Sequence, residues 1–173
     1  LTGQQVSVTE GYGSSTARTT QYSYDSLGRR TGMVTDPAGL NLTTTYAYDA
    51  NDNLVTKIEA AGTADARTSR YAYDDADRLV YSVDAMGGVI KNRYDQFGHV
   101  IEKIAYANAV NLTGLVSAPS VSAIAGLVVL DVAQDRVTRY GYDKDGRLRF
   151  TIDAMGGVTA VSYTHLRAHE TAT

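Results

Sequence analysis

Few side chains in this sequence have the type and spacing needed for chemistry. His165 and His169 stand four residues apart, where one helical turn would place two imidazoles side by side as metal ligands. A zinc site needs a third protein ligand, and none accompanies them. Asp49-Ala50-Asn51-Asp52-Asn53 opens like a calcium loop, with oxygen donors at alternate positions. Its sixth position is Leu54, where the bend needs Gly, and its twelfth is Ala60, where the ion needs Glu. Aspartates recur in pairs that could mimic a general acid and base, yet each heads a turn that it can cap. His99, the one histidine away from the chain's end, takes a slot held elsewhere by Arg, which reads as a surface position. No Ser/His/Asp arrangement, phosphate-binding glycine loop or HExxH string is present. The sequence therefore nominates no catalytic residue, no metal ligand and no cofactor, and reads as a non-enzyme.

What the side chains do show is a repeat. Thr138-Arg139-Tyr140-Gly141-Tyr142-Asp143-Lys144-Asp145-Gly146-Arg147-Leu148 is its cleanest copy: Tyr-x-Tyr-Asp, two loose residues, Gly-Arg, then an apolar residue. The Tyr-Asp pair recurs at Tyr24-Asp25, Tyr48-Asp49, Tyr73-Asp74, Tyr94-Asp95 and Tyr142-Asp143, with gaps of 24, 25, 21 and 48 residues. A constant period in the twenties marks a repeat architecture. Tyr140 and Tyr142, two apart, share one face of a strand. Asp143-Lys144-Asp145-Gly146 has the form of a type I turn: Asp bonds back to the turn backbone, and Gly takes the left-handed conformation that closes a three-residue hairpin loop with a bulge. Arg147-Leu148-Arg149-Phe150 starts the return strand, with Leu148 and Phe150 expected on one face.

The same grammar runs along the chain. Gly28 and Gly98 fill the fourth turn position in their units, Asp52 and Asp77 substitute for Gly at modest cost, and Arg29 and Arg78 follow as Arg147 does. A second turn alternates with the first: Asp36-Pro37-Ala38-Gly39, Asp84-Ala85-Met86-Gly87 and Asp153-Ala154-Met155-Gly156 share the Asp-x-x-Gly logic, the first with Pro setting a central residue. Turns at both ends of short strands make a meander.

Composition agrees. Thirteen Tyr against two Phe and no Trp is a product of the repeat, since ten of them fill Tyr-x-Tyr slots. The absence of Cys excludes disulfides and thiolate metal sites, and a net charge of −3 gives no reason to expect nucleic acid or an anionic membrane surface. No apolar run approaches the ~20 residues of a membrane-spanning helix. Two formal N-glycosylation sequons, at Asn41 and Asn111, are read as incidental. A chain that opens on Leu1, with no Met and no signal peptide, reads as an internal piece of something longer.

The expected organisation is a degraded preceding repeat over 1–18, repeats over 19–105, an insertion over 106–135, a further repeat over 136–161, and a non-native-looking tail over 162–173. The insertion fills the long gap. Ser117-Ala118-Pro119-Ser120 reads as a helix start with Pro in the first turn, and a short helix near 117–132 is expected to lie against the sheet. Val128-Val129-Leu130 could equally be a strand. In the tail, Tyr163 keeps the register but Thr164 stands where Asp should be. The string from Ser162 to Thr171 resembles a translated sequencing adapter and is set aside from the fold.

The units at Tyr140–Leu148 and the Asp153-Ala154-Met155-Gly156 turn resemble the YD repeat of Rhs-family proteins, over roughly Thr19 to Tyr163. The resemblance implies large β-strand shells built from such hairpins and spiralling around a hollow interior. In Rhs toxins and insecticidal toxin complexes the shell encloses a toxic C-terminal domain; in teneurins it forms a barrel in a cell-surface adhesion protein. Asp36-Pro37-Ala38-Gly39-Leu40 is similar to the signature at which Rhs cores end and self-cleave. Here it leads into another repeat and reads as an ordinary second turn.

The expected fold is all-β: consecutive antiparallel hairpins in a twisted, open, spiralling sheet, with neighbouring hairpins burying each other's Tyr and Leu side chains. The expected function is a structural scaffold, secreted or at a cell surface. Its expected partners are flanking YD repeats and an enclosed toxin domain. The alternative is a module whose tyrosine ladders hold surface glycans. Replacing Gly146 by Val is expected to cost ~1–2 kcal/mol through the left-handed penalty, read as a lowered melting temperature.

Overall fold

The computed structural model describes residues 3–162. The tail positions Tyr163, Thr164, His165 and His169 lie outside the described residues. Among the described residues, twelve strands form one antiparallel sheet in sequential order, a pure meander. They are β1 (Ser7–Glu10), β2 (Arg18–Tyr24), β3 (Arg30–Thr35), β4 (Leu42–Tyr48), β5 (Leu54–Glu59), β6 (Arg67–Tyr73), β7 (Leu79–Val83), β8 (Val89–Tyr94), β9 (Val100–Ala105), β10 (Arg136–Tyr142), β11 (Leu148–Ile152) and β12 (Val158–Ala160). β1 and β12 do not touch, so the sheet is open. The one described helix, α1 (Val121–Ala125), lies in the 106–135 segment between β9 and β10 and packs on β6 and β7.

Every Tyr-Asp hairpin carries the same irregularity. In the first, Ser23 pairs with Gly32 but Tyr24 pairs with Arg30, which leaves Thr31 without a partner. The register skips Val55, Val80, Ile101 and Arg149 in the same way in the other four. Each hairpin thus has a bulge one residue beyond its turn, and a bulge bends its strand and increases the local twist. It also inverts the alternation. Leu148 faces Tyr142, whereas Phe150 faces Gly141 on the opposite side of the sheet, so the expected shared face of Leu148 and Phe150 is corrected. Gly141 is required there, because a Cβ would lie 2.2 Å from the Phe150 ring.

The turns divide into two kinds. Gly28, Gly98 and Gly146 have φ of 85°, 88° and 74°, and Asp52 and Asp77 have 69° and 56° in the same slot. Asp36-Pro37-Ala38-Gly39 departs from the expected geometry. Its left-handed residues are Asp36 and Asn41, at φ 52° and 48°, and Gly39 is not left-handed. The need for glycine at 39 is steric instead: a Cβ would meet the Asp36 carboxylate at 2.3 Å.

The register sorts the side chains onto two faces. Tyr22, Tyr24, Tyr46, Tyr48, Tyr71, Tyr73, Tyr94, Tyr140 and Tyr142 share one face, and all are half-buried. The deepest burial is on the other face, where Ala72, Tyr81, Val83 and Val89 meet Val110 and Ile124 of the long connection. The repeat tyrosines are half-buried between hairpins, and the fully buried residues lie on the face opposite to them. Tyr81, the fully buried tyrosine, stands outside the Tyr-x-Tyr slots.

The connection is pinned to this second face. Val110 N–H donates to the Gly87 carbonyl at 2.8 Å, the Thr56 hydroxyl donates to Ser117 O, and Arg70 Nε donates to Val116 O at 3.1 Å. The helix is shorter than 117–132 and starts later. Ser120 is its N-cap, accepting from Ala123 N–H at 3.1 Å, and Pro119 is buried just before the cap rather than in the first turn. It stops at Gly126, and the β-branched Val128 and Val129 beyond have little to gain from continuing it. Ile124 is the fully buried anchor, at 0% exposure. Ile124→Ala is expected to destabilise the chain by ~2–5 kcal/mol, measured as a lower urea midpoint at unchanged slope.

Candidate functional site at the seams between hairpins

The candidate residues converge where one hairpin meets the next. Between hairpins the backbone ladder stops short of the Tyr-Asp end: its last pairs are Gly32 with Thr45, Thr56 with Arg70, Tyr81 with Lys91, and Glu102 with Arg139. The bulge has bent each return strand away there. A carbonyl two residues further on would be left without a strand partner. In every case the tyrosine just before the turn aspartate of the next hairpin supplies a donor, and at the Leu79 carbonyl Asn92 Nδ2 donates as well, at 3.0 Å. Tyr48 hydroxyl donates to Arg30 O at 2.9 Å, Tyr73 to Leu54 O at 3.0 Å, Tyr94 to Leu79 O at 2.7 Å, and Tyr142 to Val100 O at 2.9 Å. Tyr24 does the same to Gln5 O at 2.9 Å. Each bonded carbonyl in the four hairpin-to-hairpin seams belongs to the residue paired with the tyrosine just before the preceding hairpin's turn aspartate. The hydroxyl thus replaces a missing rung. Burial pushes the phenols of Tyr48, Tyr73, Tyr94 and Tyr142 up from their ordinary value.

The aspartates organise the turns from within. Asp25 Oδ1 accepts from Leu27 N–H and Arg29 N–H at 3.0 and 2.9 Å, and its Oδ2 accepts from Arg29 Nε at 2.7 Å. Asp74 repeats this with Ala76, Arg78 and the Arg78 guanidinium. Asp49 uses Asn51, Asn53 and the Asn53 amide, and Asp95 uses Phe97, His99 and the His99 ring. Asp143 accepts from Asp145 and Arg147 N–H, while the Arg147 side chain turns to Asp145 instead, at 3.0 Å. The guanidinium hydrogen bonds hold the Asp25 and Asp74 carboxyls below the usual carboxylate value. Because these folded-state values are lowered, the turns contribute stability above the unfolded value of about 3.9 and lose it as the pH falls through the lowered values.

The residue four beyond the aspartate then reaches across the seam. Arg29 Nη1 donates to Asp49 O at 3.0 Å and to Asp52 Oδ1 at 2.8 Å, and its guanidinium lies 5.0 Å over the Tyr48 ring. Arg78 donates to Asp95 O at 3.2 Å and lies 4.9 Å over Tyr94. Asn53 and Asn51 both donate to Asp77 Oδ1, at 2.7 and 2.8 Å. His99 stacks on Tyr142, with ring centroids 4.7 Å apart and planes at 22°. His99 is therefore half-buried between two hairpins, which corrects its reading as a surface residue.

Sequence reasoning missed the acceptors of these bonds, because a backbone carbonyl has no residue type to recognise. It also missed the bulge residue and the amide bridge from Asn51 and Asn53 to Asp77. The alternating appearance of Arg, Asn, Arg and His four after the aspartate was a usable signal, since all four can donate. No group of three His, Asp or Glu able to hold a metal occurs among the described residues. The Asp49–Asp52 stretch is consumed by the turn and its bridges, and the Asp36 carboxylate accepts from Leu40 N–H at 3.0 Å. Removing one seam hydroxyl while keeping its ring isolates the missing rung. Tyr73→Phe is expected to cost ~1–3 kcal/mol, because the Leu54 carbonyl loses its donor, as read from the denaturant midpoint.

Comparison with known proteins agrees with this geometry. No curated protein matches the chain. In the crystal structure of TcdB2-TccC3-Cdc42, 84% of this chain superposes with a TM-score of 0.57 at 19% identity. The structure of the Photorhabdus luminescens Tc holotoxin pore with the TccC3-D651A mutation gives a TM-score of 0.58 at 19% identity, again over 84%. The chain spans 7% of the length of either. This likeness is one of fold. A family model described as Teneurin YD-shell matches residues 2–173. With its Tyr-Asp hairpins, sequential sheet and matching profile, the chain belongs to the teneurin YD-shell family.

Proposed function

We propose that this chain is a stretch of the β-strand wall of a Rhs-type shell, and that the wall encloses or presents a C-terminal toxin domain. The observation that carries the reading is the repeated seam. The same hydroxyl-to-carbonyl bond closes four successive joints between hairpins, at 2.7 to 3.0 Å. Such a sheet extends by adding hairpins without a change of geometry, which suits a wall. The motif residues Tyr24, Asp25, Gly28, Arg29, Tyr48, Asp49, Tyr73, Asp74, Arg78, Tyr94, Asp95, Gly98, Tyr142, Asp143, Gly146 and Arg147 then serve structure rather than turnover. Flanking YD repeats are the partners of the two outer strands. The expected setting is a secreted or cell-surface protein.

A glycan-binding role is the weaker reading. The tyrosine rings that would stack on sugars are half-buried, and the hydroxyls of the second slot already serve carbonyls. The wall reading is tested on the full-length parent protein by limited proteolysis. Its C-terminal region is expected to survive a protease dose that digests the same region expressed alone. Combining Tyr48→Phe, Tyr73→Phe and Tyr94→Phe is expected to abolish that protection. Equal sensitivity of the enclosed and isolated regions in the unmodified protein overturns enclosure.

A further inference from the structure

One seam differs from its neighbours in a way that makes it conditional. Three hairpins place a cationic or potentially cationic side chain four residues after the turn aspartate, bonded to its carboxylate. The contacts are Arg29 Nε to Asp25 at 2.7 Å, Arg78 Nε to Asp74 at 2.8 Å, and His99 Nδ1 to Asp95 at 2.9 Å. Each then covers the tyrosine just before the turn aspartate of the next hairpin: Tyr48, Tyr94 and Tyr142 respectively. Arg keeps its charge at every physiological pH, whereas an imidazole acquires one only on protonation. We propose that the joint between the β8–β9 and β10–β11 hairpins is a pH-sensitive hinge, tightened when His99 is protonated.

The surroundings favour this sense. A neutral ring with its proton on Nδ1 keeps the hydrogen bond to Asp95 and the stack on Tyr142. Protonation adds two things: an ion pair with the Asp95 carboxylate, and a cation against the π-face of Tyr142. The charged groups lining the site from the β10–β11 turn are Asp143, Lys144 and Asp145, one negative charge in excess. Asp95 on its own turn makes the site more negative, and Tyr140 and Tyr142 also line it. Gly146 lets the ring fit, because a Cβ there would stand 2.9 Å from Nε2. The seam also has the longest connection of those between hairpins. At its far end β9 and β10 are joined by residues 106–135, where the other seams have a tight turn or a short loop. Four backbone pairs and Arg139 Nε on Glu102 Oε1 at 3.2 Å also hold this seam, so the His99 contact adds to them at the Tyr-Asp end.

The test is amide hydrogen exchange on the full chain, corrected for the pH dependence of intrinsic exchange and referenced to the β2–β3 hairpin. Protection of the β10–β11 amides is expected to fall about fivefold between pH 5 and pH 8, the factor that ~1 kcal/mol of cation–π interaction represents. His99→Arg is expected to hold the high protection at both pH values. His99→Gln, which can still donate to Asp95 but carries no charge, is expected to show the low value at both. A β10–β11 protection that does not change with pH in the unmodified chain overturns the proposal. So does a pH dependence that persists in both variants, since it would then arise from another group.

Discussion

The bulge beside each Tyr-Asp turn is the constraint on which the rest of this sheet depends. It bends the return strand, so the next hairpin cannot follow it to the end in backbone register. A carbonyl exposed in this way inside a sheet is costly to leave unpaired. The tyrosine hydroxyl reaches it because the ring is a rigid spacer about as long as the gap is wide. That explains why the slot selects Tyr so strongly over Phe: the ring alone fills space, and the rung requires the oxygen. The first tyrosine of each pair, such as Tyr46 or Tyr71, has no such bond and contributes surface and packing to the same face.

Two faces of one sheet therefore do different work. The tyrosine face holds hairpin to hairpin through directional bonds at half-buried positions. The opposite face is closed locally, over β5 to β8, by the 106–135 connection with Val110, Ile124 and their neighbours. The division accounts for the modest number of fully buried residues in a sheet of twelve strands. A meander of this kind has no single centre to bury. Its stability accumulates from joint to joint, as expected for a quasi-one-dimensional repeat.

Much of this was legible in the residues. Five Tyr-Asp pairs in phase announced the hairpins, and the aspartate and glycine of each turn announced its backbone. The acceptance of Asp52 and Asp77 in the left-handed slot followed from the same chemistry. Other features were hidden for physical reasons. The bulge at Thr31, Val55, Val80, Ile101 and Arg149 falls on residues of no common type, because what it uses is backbone. The carbonyls of Arg30, Leu54, Leu79 and Val100 are equally anonymous. The helix was over-read because apolar spacing persists through Leu127 and Val128, while Gly126 and the β-branched pair end it after five residues. His99 was taken for a surface residue because nothing local to its turn reveals that Tyr142, 43 residues on, will lie against its ring.

The claim that tyrosine hydroxyls stand in for missing backbone rungs is tested most directly by detecting those hydroxyl protons by NMR. If it holds, the hydroxyl protons of Tyr48, Tyr73, Tyr94 and Tyr142 exchange slowly with water, and each couples through its hydrogen bond to one carbonyl: Arg30, Leu54, Leu79 and Val100 in turn. The hydroxyl protons of Tyr22, Tyr46, Tyr71 and Tyr140 then exchange too fast to observe. Equal exchange in the two sets, or slow protons with no coupling to those carbonyls, would contradict it.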